Sequence, residues 1–291
     1  MAGPSGDSAT DMILSFHPNI VAERNILCAG RLPNDEDRAA ICQAQAVILF
    51  QGCTEALYKM CRHHCPHVFP NYDVRFDYPG KVGQARLFQE LDAPFPQTHT
   101  FDQLSSYQDL HGHKRCQFPL GFPCVFKFDW GGEGEGVFLL KTEADLTEAL
   151  KKAQQVEQGG LKGFLLQEYI PCSARSLRVV MIGGKLISYW RRQQNSAAFL
   201  SNLKAGALID RRSDPGLQEE GKALVKDFSS KTGINLAAFD LLFSDTEQKP
   251  NPFFLEINYF FGRQGLGGSL KYYEMVDEAV ARWLSNIGLS L

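Results

Sequence analysis

Acidic side chains inside two apolar segments near the C-terminus constrain this sequence more than any other feature. Residues 253–258 are predicted to form a strand that brings Glu256 and Asn258 to one face. Residues 237–243 are predicted to form a second strand, in which Asp240 is the single acid. A carboxylate among apolar neighbours is costly to bury unless a cation or a hydrogen-bond donor compensates it. Side by side, the two strands would offer oxygen ligands to a hard metal such as Mg²⁺, whereas strand-end acids facing solvent are the alternative.

The composition is that of a globular protein with more than one domain. The chain has 291 residues, of which 44% are hydrophobic and 22% are charged, and this length suits two or three domains. The net charge of −3 gives no reason to expect a nucleic-acid-binding surface. No apolar run approaches the roughly 18 residues of a membrane span. Residues 1–11 are predicted to be a flexible tail without signal-peptide features, so we expect a cytoplasmic protein.

The eight cysteines are scattered, and we interpret them as small buried apolar residues rather than as a disulfide framework. The segment from Cys61 to His67 is dense enough in Cys and His to bind zinc. However, no second Cys/His pair follows at the spacing of a zinc finger, and the segment ends a predicted helix. Local packing and surface thiols are the alternative, and the sequence does not decide the role of this segment.

The first part of the chain alternates between predicted strands and helices. The strands are predicted at 12–16 and 46–50, and the helices at 35–46 and 54–64. This alternation indicates a small open α/β domain with a parallel sheet. Pro66, Pro70 and the Pro79-Gly80 pair then interrupt the chain, which places a domain boundary near residue 78.

The remainder is predicted to be an α+β region. Helices are expected at 82–91, 142–158, 215–232 and 270–287, and further strands at 122–129, 136–141, 164–170, 177–182 and 185–191. Thr142 and Asp145 have the spacing of a capping box, and Gly159 is a suitable end for the helix that they begin. The Gly183-Gly184 pair predicts a hairpin turn.

A glycine-rich turn is predicted between the strands at 122–129 and 136–141. Its glycines are Gly131, Gly132, Gly134 and Gly136. Such a turn can fold over phosphates with its N–H groups towards the anion, although a flexible hairpin is the alternative. It matches neither a Walker loop nor a dinucleotide-binding fingerprint. Lys127 lies just upstream in an apolar strand, where it needs a counter-charge that a phosphate would supply.

Five elements resemble the ATP-grasp superfamily in the same order. They are Lys81 at a helix start, residues 123–127, the glycine-rich turn, residues 167–171, and Asp240 followed by residues 255–258. The resemblance covers about residues 80 to 291. Arg178, the Arg191-Arg192 pair and the stretch 201–206 look most like the RimK-type branch, whose members ligate amino acids to peptide or protein carboxylates.

The resemblance implies an ATP-grasp fold and a set of residue roles. The fold would have subdomains at 79–170 and 171–291, with ATP between them, after an α/β domain at 12–78. Lys81 and Lys127 would contact phosphates, the glycine turn would be a lid, Glu168, Tyr169 and Ile170 would read the adenine edge, and Ser176 would lie near the ribose. Asp240, Glu256 and Asn258 would hold one or two Mg²⁺ ions, which Mn²⁺ can replace. Arg191 or Arg192, with Asn202, would stabilise the transferring phosphoryl group, and Arg178 would contact substrate. Arg263, in the loop after Asn258, is a candidate to contact an acidic substrate group, with a solvated loop arginine as the alternative.

The implied activity is an ATP- and Mg²⁺-dependent ligation of a carboxylate and an amine through an acyl phosphate. The substrates would be small molecules or peptides. Whether the protein forms a homo-oligomer is left open by the sequence. Two departures from the family pattern keep alternatives open: the acids Glu133 and Glu135 in the turn, and the loop 259–265, where relatives often carry a small residue, proline and glycine. The alternatives are a nucleotide-binding sensor or scaffold without turnover, and a small-molecule kinase.

Overall fold

The computed structural model describes residues 12–28, 30–111, 120–132, 134–193, 206–246 and 250–291. Within these ranges the elements form three sheets with helices packed against them. No helix in this described part combines the length and apolar character needed to cross a bilayer.

The first sheet is parallel and belongs to the N-terminal part of the chain, as predicted. Its elements are β1 (Ile13–Ser15), β2 (Arg24–Asn25), α1 (Asp35–Gln43), β3 (Ala46–Ile48), α2 (Glu55–His64) and β4 (His67–Phe69), with the strands in the order β2-β1-β3-β4. Asn34 and Asp37 form a capping box at the start of α1. Cys61 and Cys65 are buried in this unit, and no group of three His, Cys, Asp or Glu side chains that could hold a metal occurs among the residues that the structure describes.

The second sheet is antiparallel and has the order β5-β8-β6-β7. The elements here are α3 (Asp73–Asp77), α4 (Gly80–Glu90), β5 (Thr98–Phe101), α5 (Leu104–His111), β6 (Cys124–Phe128), β7 (Val137–Leu140), α6 (Glu143–Gln158) and β8 (Phe164–Glu168). The rings of Phe126 and Phe164 stack at 4.9 Å between the sheet and its helices α5 and α6. The capping box of Thr142 and Asp145 is confirmed, and α6 ends at Gly159.

The third sheet is also antiparallel and has the order β11-β10-β9-β12-β13. Its elements are β9 (Arg175–Ile182), β10 (Lys185–Arg192), β11 (Leu208–Asp210), α7 (Pro215–Thr232), β12 (Leu236–Phe243), β13 (Pro252–Asn258) and α8 (Ser269–Asn286), with a short 3₁₀ helix at Gln264–Leu266. The hairpin at Gly183-Gly184 is confirmed, because Ile182 pairs with Lys185. The two strands that carry Asp240 and Glu256 are neighbours.

Two hydrophobic cores hold these sheets together. The larger one joins the first sheet to the third sheet and includes Leu87 and Phe88 of α4. The contact between the two sheets is also polar, since the N–H of Asn71 donates to the side chain of Asn235 at 2.8 Å. The smaller core belongs to the second sheet with α5 and α6. The domain boundary near residue 78 stays a prediction.

Several short elements are absent from the sequence-based prediction. They are β2, β4, β5, β11, α3 and α5, each of eight residues or fewer. The segment of β5, Thr-His-Thr-Phe, shows why: its side chains have no apolar alternation, and only Phe101 is buried. Pairing with β8, rather than local propensity, makes this segment a strand.

Candidate functional site

A cleft lies between the second and third sheets and encloses about 210 Å³. Strands of both sheets, α4 and the glycine-rich loop form its walls. The predicted site residues on these walls are Lys81, Lys127, Gly132, Gly134, Glu168, Tyr169, Ile170, Arg178, Arg191, Asp240, Glu256 and Asn258. Residues from distant parts of the sequence therefore converge on one space.

Lys127 reaches the cleft because successive side chains of β6 point to opposite faces of the sheet. Three alternate residues of this strand pack into the smaller core, so Val125 and Lys127 face the cleft. The Lys127 side chain is 7% exposed, and its ammonium donates to Gln167 Oε1 at 2.6 Å. Burial lowers the pKa of Lys127 to about 8, although Glu256 and Asp240 oppose this shift. The cleft thus contains a buried cation whose hydrogen-bond partner is neutral.

Lys81 enters the cleft from the first turn of α4. Its Nζ donates to the main-chain carbonyls of Trp130 at 3.2 Å and Gly131 at 2.6 Å, which ties the helix to the glycine-rich loop. Asp129 strengthens this junction by accepting a hydrogen bond from an N–H of the same turn at 2.7 Å. Gly80 has φ +71°, and a Cβ there would lie 2.3 Å from Asp129 Oδ1, so the junction requires glycine.

The glycine-rich loop lines the cleft through Gly132 and Gly134. Gly131 and Gly136 flank this stretch without lining the cleft, and both have positive φ, at 85° and 71°. Glycine adopts such angles without the strain that a side chain would bring. Glu135, one of the two acids of the turn, is exposed. The loop therefore presents backbone, rather than the Glu135 side chain, to the cleft.

The end of β8 and the residues after it supply another part of the wall. These residues, here called the hinge, are Glu168, Tyr169 and Ile170. The N–H of Glu168 donates to the carbonyl of Gln97 at 2.8 Å, and its carboxylate accepts from the N–H of Gln97 at 3.3 Å. The hinge is thereby fixed to the segment that precedes β5.

The strands β12 and β13 bring the three predicted metal ligands together. Asp240 and Glu256 are directly paired in the antiparallel ladder, where opposite side chains share a face. Asn258 donates from Nδ2 to Asp240 Oδ2 at 3.1 Å. A bulge next to this pair places an extra residue in β13, so that Phe254 stays in the core while Glu256 lines the cleft.

Two buried arginines surround Asp240. Arg178 donates to both carboxylate oxygens at 2.8 Å, and Arg191 Nη2 lies 2.9 Å from Oδ2. Burial by itself would raise the pKa of Asp240, but the two arginines outweigh it and hold this pKa below its usual range. Ser176, the predicted ribose contact, is fully buried and accepts from Arg191 at 3.0 Å, which places it behind the wall. Arg192 is exposed, because successive residues of a strand face opposite sides.

The donor set fits Mg²⁺. Two carboxylates and an amide on adjacent strands are oxygen ligands of the kind that Mg²⁺ prefers, with the rest of its shell supplied by phosphate and water. Burial raises the pKa of Glu256 even though Lys81 and Lys127 act against this shift, and a divalent cation would favour the ionised form. Asp240 differs from Glu256, since both of its carboxylate oxygens already accept hydrogen bonds from Arg178.

Arg263, a predicted substrate contact, does not line the described cleft. Arg263 stacks over the rings of Tyr272 and Tyr273, with its guanidinium carbon 4.5 Å from each centroid. This places its side chain on α8 rather than on the cleft wall. Asn202 and Glu133 lie outside the described residues.

Sequence reasoning missed two glutamines at the site. The Gln84 side chain exchanges two hydrogen bonds with the backbone of Ile257, each at 2.8 Å, and so holds α4 against β13. Gln167 is 5% exposed and accepts from Lys127. Signals for both exist in the sequence: Gln84 follows Lys81 by three residues on one helix face, and Gln167 is a polar residue in an apolar strand.

Comparisons with known proteins found a family model and relatives that match a large part of the chain. The model of the RimK-like ATP-grasp domain matches residues 96–277. The chain is 32% identical over 150 residues to "Probable alpha-L-glutamate ligase 1" of Shewanella frigidimarina, a match that covers 50% of this chain and 45% of that protein. It is 28% identical over 165 residues to "Beta-citrylglutamate synthase B" of Danio rerio, which covers 55% of this chain and 38% of that protein. These matches span less than half the length of either relative.

A solved structure shares the fold. The RimK domain ATP-grasp protein from Sphaerobacter thermophilus superposes with a TM-score of 0.61 at 15% identity, covering 92% of this chain and 98% of that chain. At such identity the likeness concerns the fold alone. It confirms the predicted fold class, in which an ATP-grasp fold follows a small α/β unit.

Proposed function

The chain belongs to the RimK-like ATP-grasp family, and from this premise we propose that it is an ATP- and Mg²⁺-dependent ligase that joins a carboxylate to an amine. The observation that carries the proposal is the cleft, where four cations meet a cluster of oxygen ligands. These residues are Lys81, Lys127, Arg178 and Arg191, with Asp240, Glu256 and Asn258. The names of both curated relatives contain glutamate, which supports an amino acid or a peptide as one substrate.

The proposed reaction activates a poor acyl donor. The carboxylate takes the γ-phosphoryl group of ATP and becomes an acyl phosphate, from which the amine displaces phosphate to form the amide. For such a transfer the protein has mainly to neutralise charge and align the reactants. Cationic side chains of the cleft suit this task, and the reaction requires no side-chain nucleophile.

The lysines and the loop would bind the triphosphate. Lys81 approaches from α4 and Lys127 from β6, so two separate elements supply positive charge. The N–H groups around Gly132 and Gly134 would face the phosphates, and the loop would exclude water that hydrolyses the acyl phosphate. The backbone of Tyr169 and Ile170 would contact the adenine edge.

The third sheet would hold the metal and the transferring group. Asp240, Glu256 and Asn258 would bind one or two Mg²⁺ ions, which supply Lewis acidity and neutralise phosphate charge. Arg191 is favoured over Arg192 for the transferring phosphoryl group, because Arg191 lines the cleft whereas Arg192 is exposed. Arg178 would contact the substrate carboxylate.

The proposal is tested by ATP consumption with Mg²⁺ across a panel of amino acids and short acidic peptides, with products separated by mass. We expect ADP and a product whose mass is the sum of two substrates minus water. ATP binding without turnover across the panel would favour a sensor or scaffold, and a phosphorylated product without an amide would favour a kinase. The cytoplasmic location, the homo-oligomer, the subdomain limits and the substrate role of Arg263 stay predictions.

A further inference from the structure

Lys127 stands at the head of a chain of three hydrogen bonds. Its Nζ donates to Gln167 Oε1 at 2.6 Å, Gln167 Nε2 donates to Thr98 Oγ1 at 2.9 Å, and Thr98 Oγ1 donates to the carbonyl of Pro96 at 2.7 Å. Every member donates in the same direction, from the ammonium group to a main-chain carbonyl. Hydrogen bonds aligned in this way polarise one another and strengthen the whole chain.

The register of the second sheet explains how the chain forms. Thr98 of β5 is paired with Gln167 of β8, which is paired with Val125 of β6. Lys127 follows Val125 by two residues and therefore shares its face. The chain crosses the sheet from its edge strand to β6. Gln167 and Lys127 are 5% and 7% exposed, so water does not readily replace a lost link.

Thr98 selects the orientation of the Gln167 amide. An amide group has an acceptor end and a donor end, and only the acceptor end suits a neighbouring ammonium group. The Thr98 hydroxyl donates its hydrogen to Pro96 and thus offers a lone pair to Gln167 Nε2. If residue 98 lacked this acceptor, the amide would lose the contact that keeps its oxygen towards Lys127.

The neutral partner preserves the charge of Lys127 for a ligand. A carboxylate at position 167 would form an ion pair with the ammonium group and cancel much of its field. The other charged groups that act on Lys127 come from three elements: Glu256 of β13, Asp240 of β12 and Lys81 of α4. Neither acid is within 4 Å of Lys127 Nζ in the described structure, so the Gln167 amide is the group that holds the side chain in place.

We propose that Thr98 is a positioning residue, which acts through Gln167 to hold the Lys127 ammonium group charged and aimed at a nucleotide phosphate. The identity of this ligand rests on the proposed function. Thr98 itself lies outside the cleft wall, so it has no direct contact with the ligand to lose.

The first test measures ATP binding by calorimetry with Mg²⁺ present. Thr98→Val removes the acceptor and should weaken binding about fivefold, whereas Thr98→Ser keeps the hydroxyl and should bind within about twofold of the wild type. In a Lys127→Met background, Thr98→Val should have no further effect, because the two residues act in series. Equal affinity of Thr98→Val and the wild type, or additive effects of the two substitutions, would overturn the proposal.

The second test uses the ligand-free protein. In a titration of ¹³C-lysine-labelled protein followed by NMR, the Lys127 resonance is identified by its loss in Lys127→Met. We expect the wild type and Thr98→Ser to titrate near pH 8, and Thr98→Val to titrate at lower pH, because an unsupported ammonium group is harder to keep charged. Thr98→Ala, which adds no methyl group, replaces Thr98→Val if the latter does not fold. An unchanged midpoint would contradict the proposal.

The two tests separate the two proposals. If the wild type does not bind ATP, the proposed function fails, and the NMR midpoint alone decides the role of Thr98. If ATP binds and the midpoint does not respond to Thr98, the function stands and the positioning role fails.

Discussion

The buried cations on the two walls of the cleft have different hydrogen-bond partners. On the second sheet, the neutral Gln167 amide holds Lys127. On the third sheet, Arg178 and Arg191 both contact Asp240, which is 3% exposed. Both arrangements give a buried cation a hydrogen-bond acceptor, but only the second also supplies a counter-charge.

This difference separates a wall whose buried cation lacks a paired counter-charge from a wall whose buried cations already have one. A buried ammonium group with a neutral partner is costly until an anion arrives, and the lowered pKa of Lys127 reports that cost. The arginines on the opposite wall already have their counter-charge, so removing Asp240 leaves two buried cations without their ion-pair partner. The first wall contributes mainly to binding, whereas the second contributes to the stability of the fold as well.

The largest expected effect is that of Asp240→Asn. The substitution leaves the two buried arginines without a carboxylate and should lower the free energy of unfolding by about 3 kcal/mol. It should also abolish turnover with Mg²⁺. Urea denaturation measures the first effect and ADP release the second.

The matched control for Asp240→Asn is Asp102→Asn. Asp102 pairs with Arg86 at 2.7 Å on the surface, where both side chains are exposed. The free energy of unfolding should change by less than about 1 kcal/mol there. Equal losses in the two variants would show that burial of the Asp240 cluster does not matter.

Glu256→Gln should lower turnover on the order of 100-fold while preserving stability. Glu256 pairs with Asp240 across the ladder, but the ion pairs of Arg178 and Arg191 are with Asp240, so the amide is tolerated. The measurement is the Mg²⁺ dependence of ADP release, with circular dichroism as the check on folding. Wild-type turnover in this variant would remove Glu256 from the metal site.

Lys127→Ala tests the wall of the cleft that the second sheet forms. The loss of one charge-assisted contact should weaken ATP binding by roughly 1.5–3 kcal/mol, as measured by calorimetry. Lys141→Ala is the control, since Lys141 follows β7 on the same sheet but is exposed. Unchanged affinity in Lys127→Ala would exclude a phosphate contact at this residue.

The smallest effect is a pH dependence of ATP affinity. The charged form of Lys127 binds phosphate, and with its pKa lowered to about 8 it deprotonates as the pH rises through that value, so affinity should fall there. Calorimetry between about pH 7 and about pH 9.5 covers the transition. In Lys127→Arg the guanidinium stays charged, and the profile should be flat. A flat profile in the wild type would contradict the assignment.

The sequence predicts best those elements whose signal is local, such as a charged side chain that is costly to bury in an apolar strand. Asp240 in β12 and Lys127 in β6 stand out because a charged side chain in an apolar strand needs a partner. The capping box that starts α6 depends on residues three apart, so it is equally visible in the sequence. In each case the signal lies within one element.

The contacts between residues far apart in the sequence could not be predicted, because they depend on strand register and on how helix α4 packs against β13. Gln84 bonds the backbone of Ile257 across 173 positions, and Gln167 bonds Thr98 across 69. Arg178 is paired with Asp240 across β9 and β12, a partner that the sequence does not indicate, and its contact with substrate stays a prediction. A one-residue shift in register would turn Gln167 and Arg178 to the other faces of their sheets.

The contact between Gln84 and Ile257 also affects whether an extended segment of another protein can pair with the edge of the third sheet. β13 is an edge strand, and a free edge offers its N–H and C=O groups to any extended segment that meets it. The Gln84 amide occupies both groups of Ile257, and the carbonyl of Pro94 takes the N–H of Phe254 at 2.8 Å. Helix α4 and the segment after it thereby cover part of this edge and leave fewer of its groups available for intermolecular strand addition.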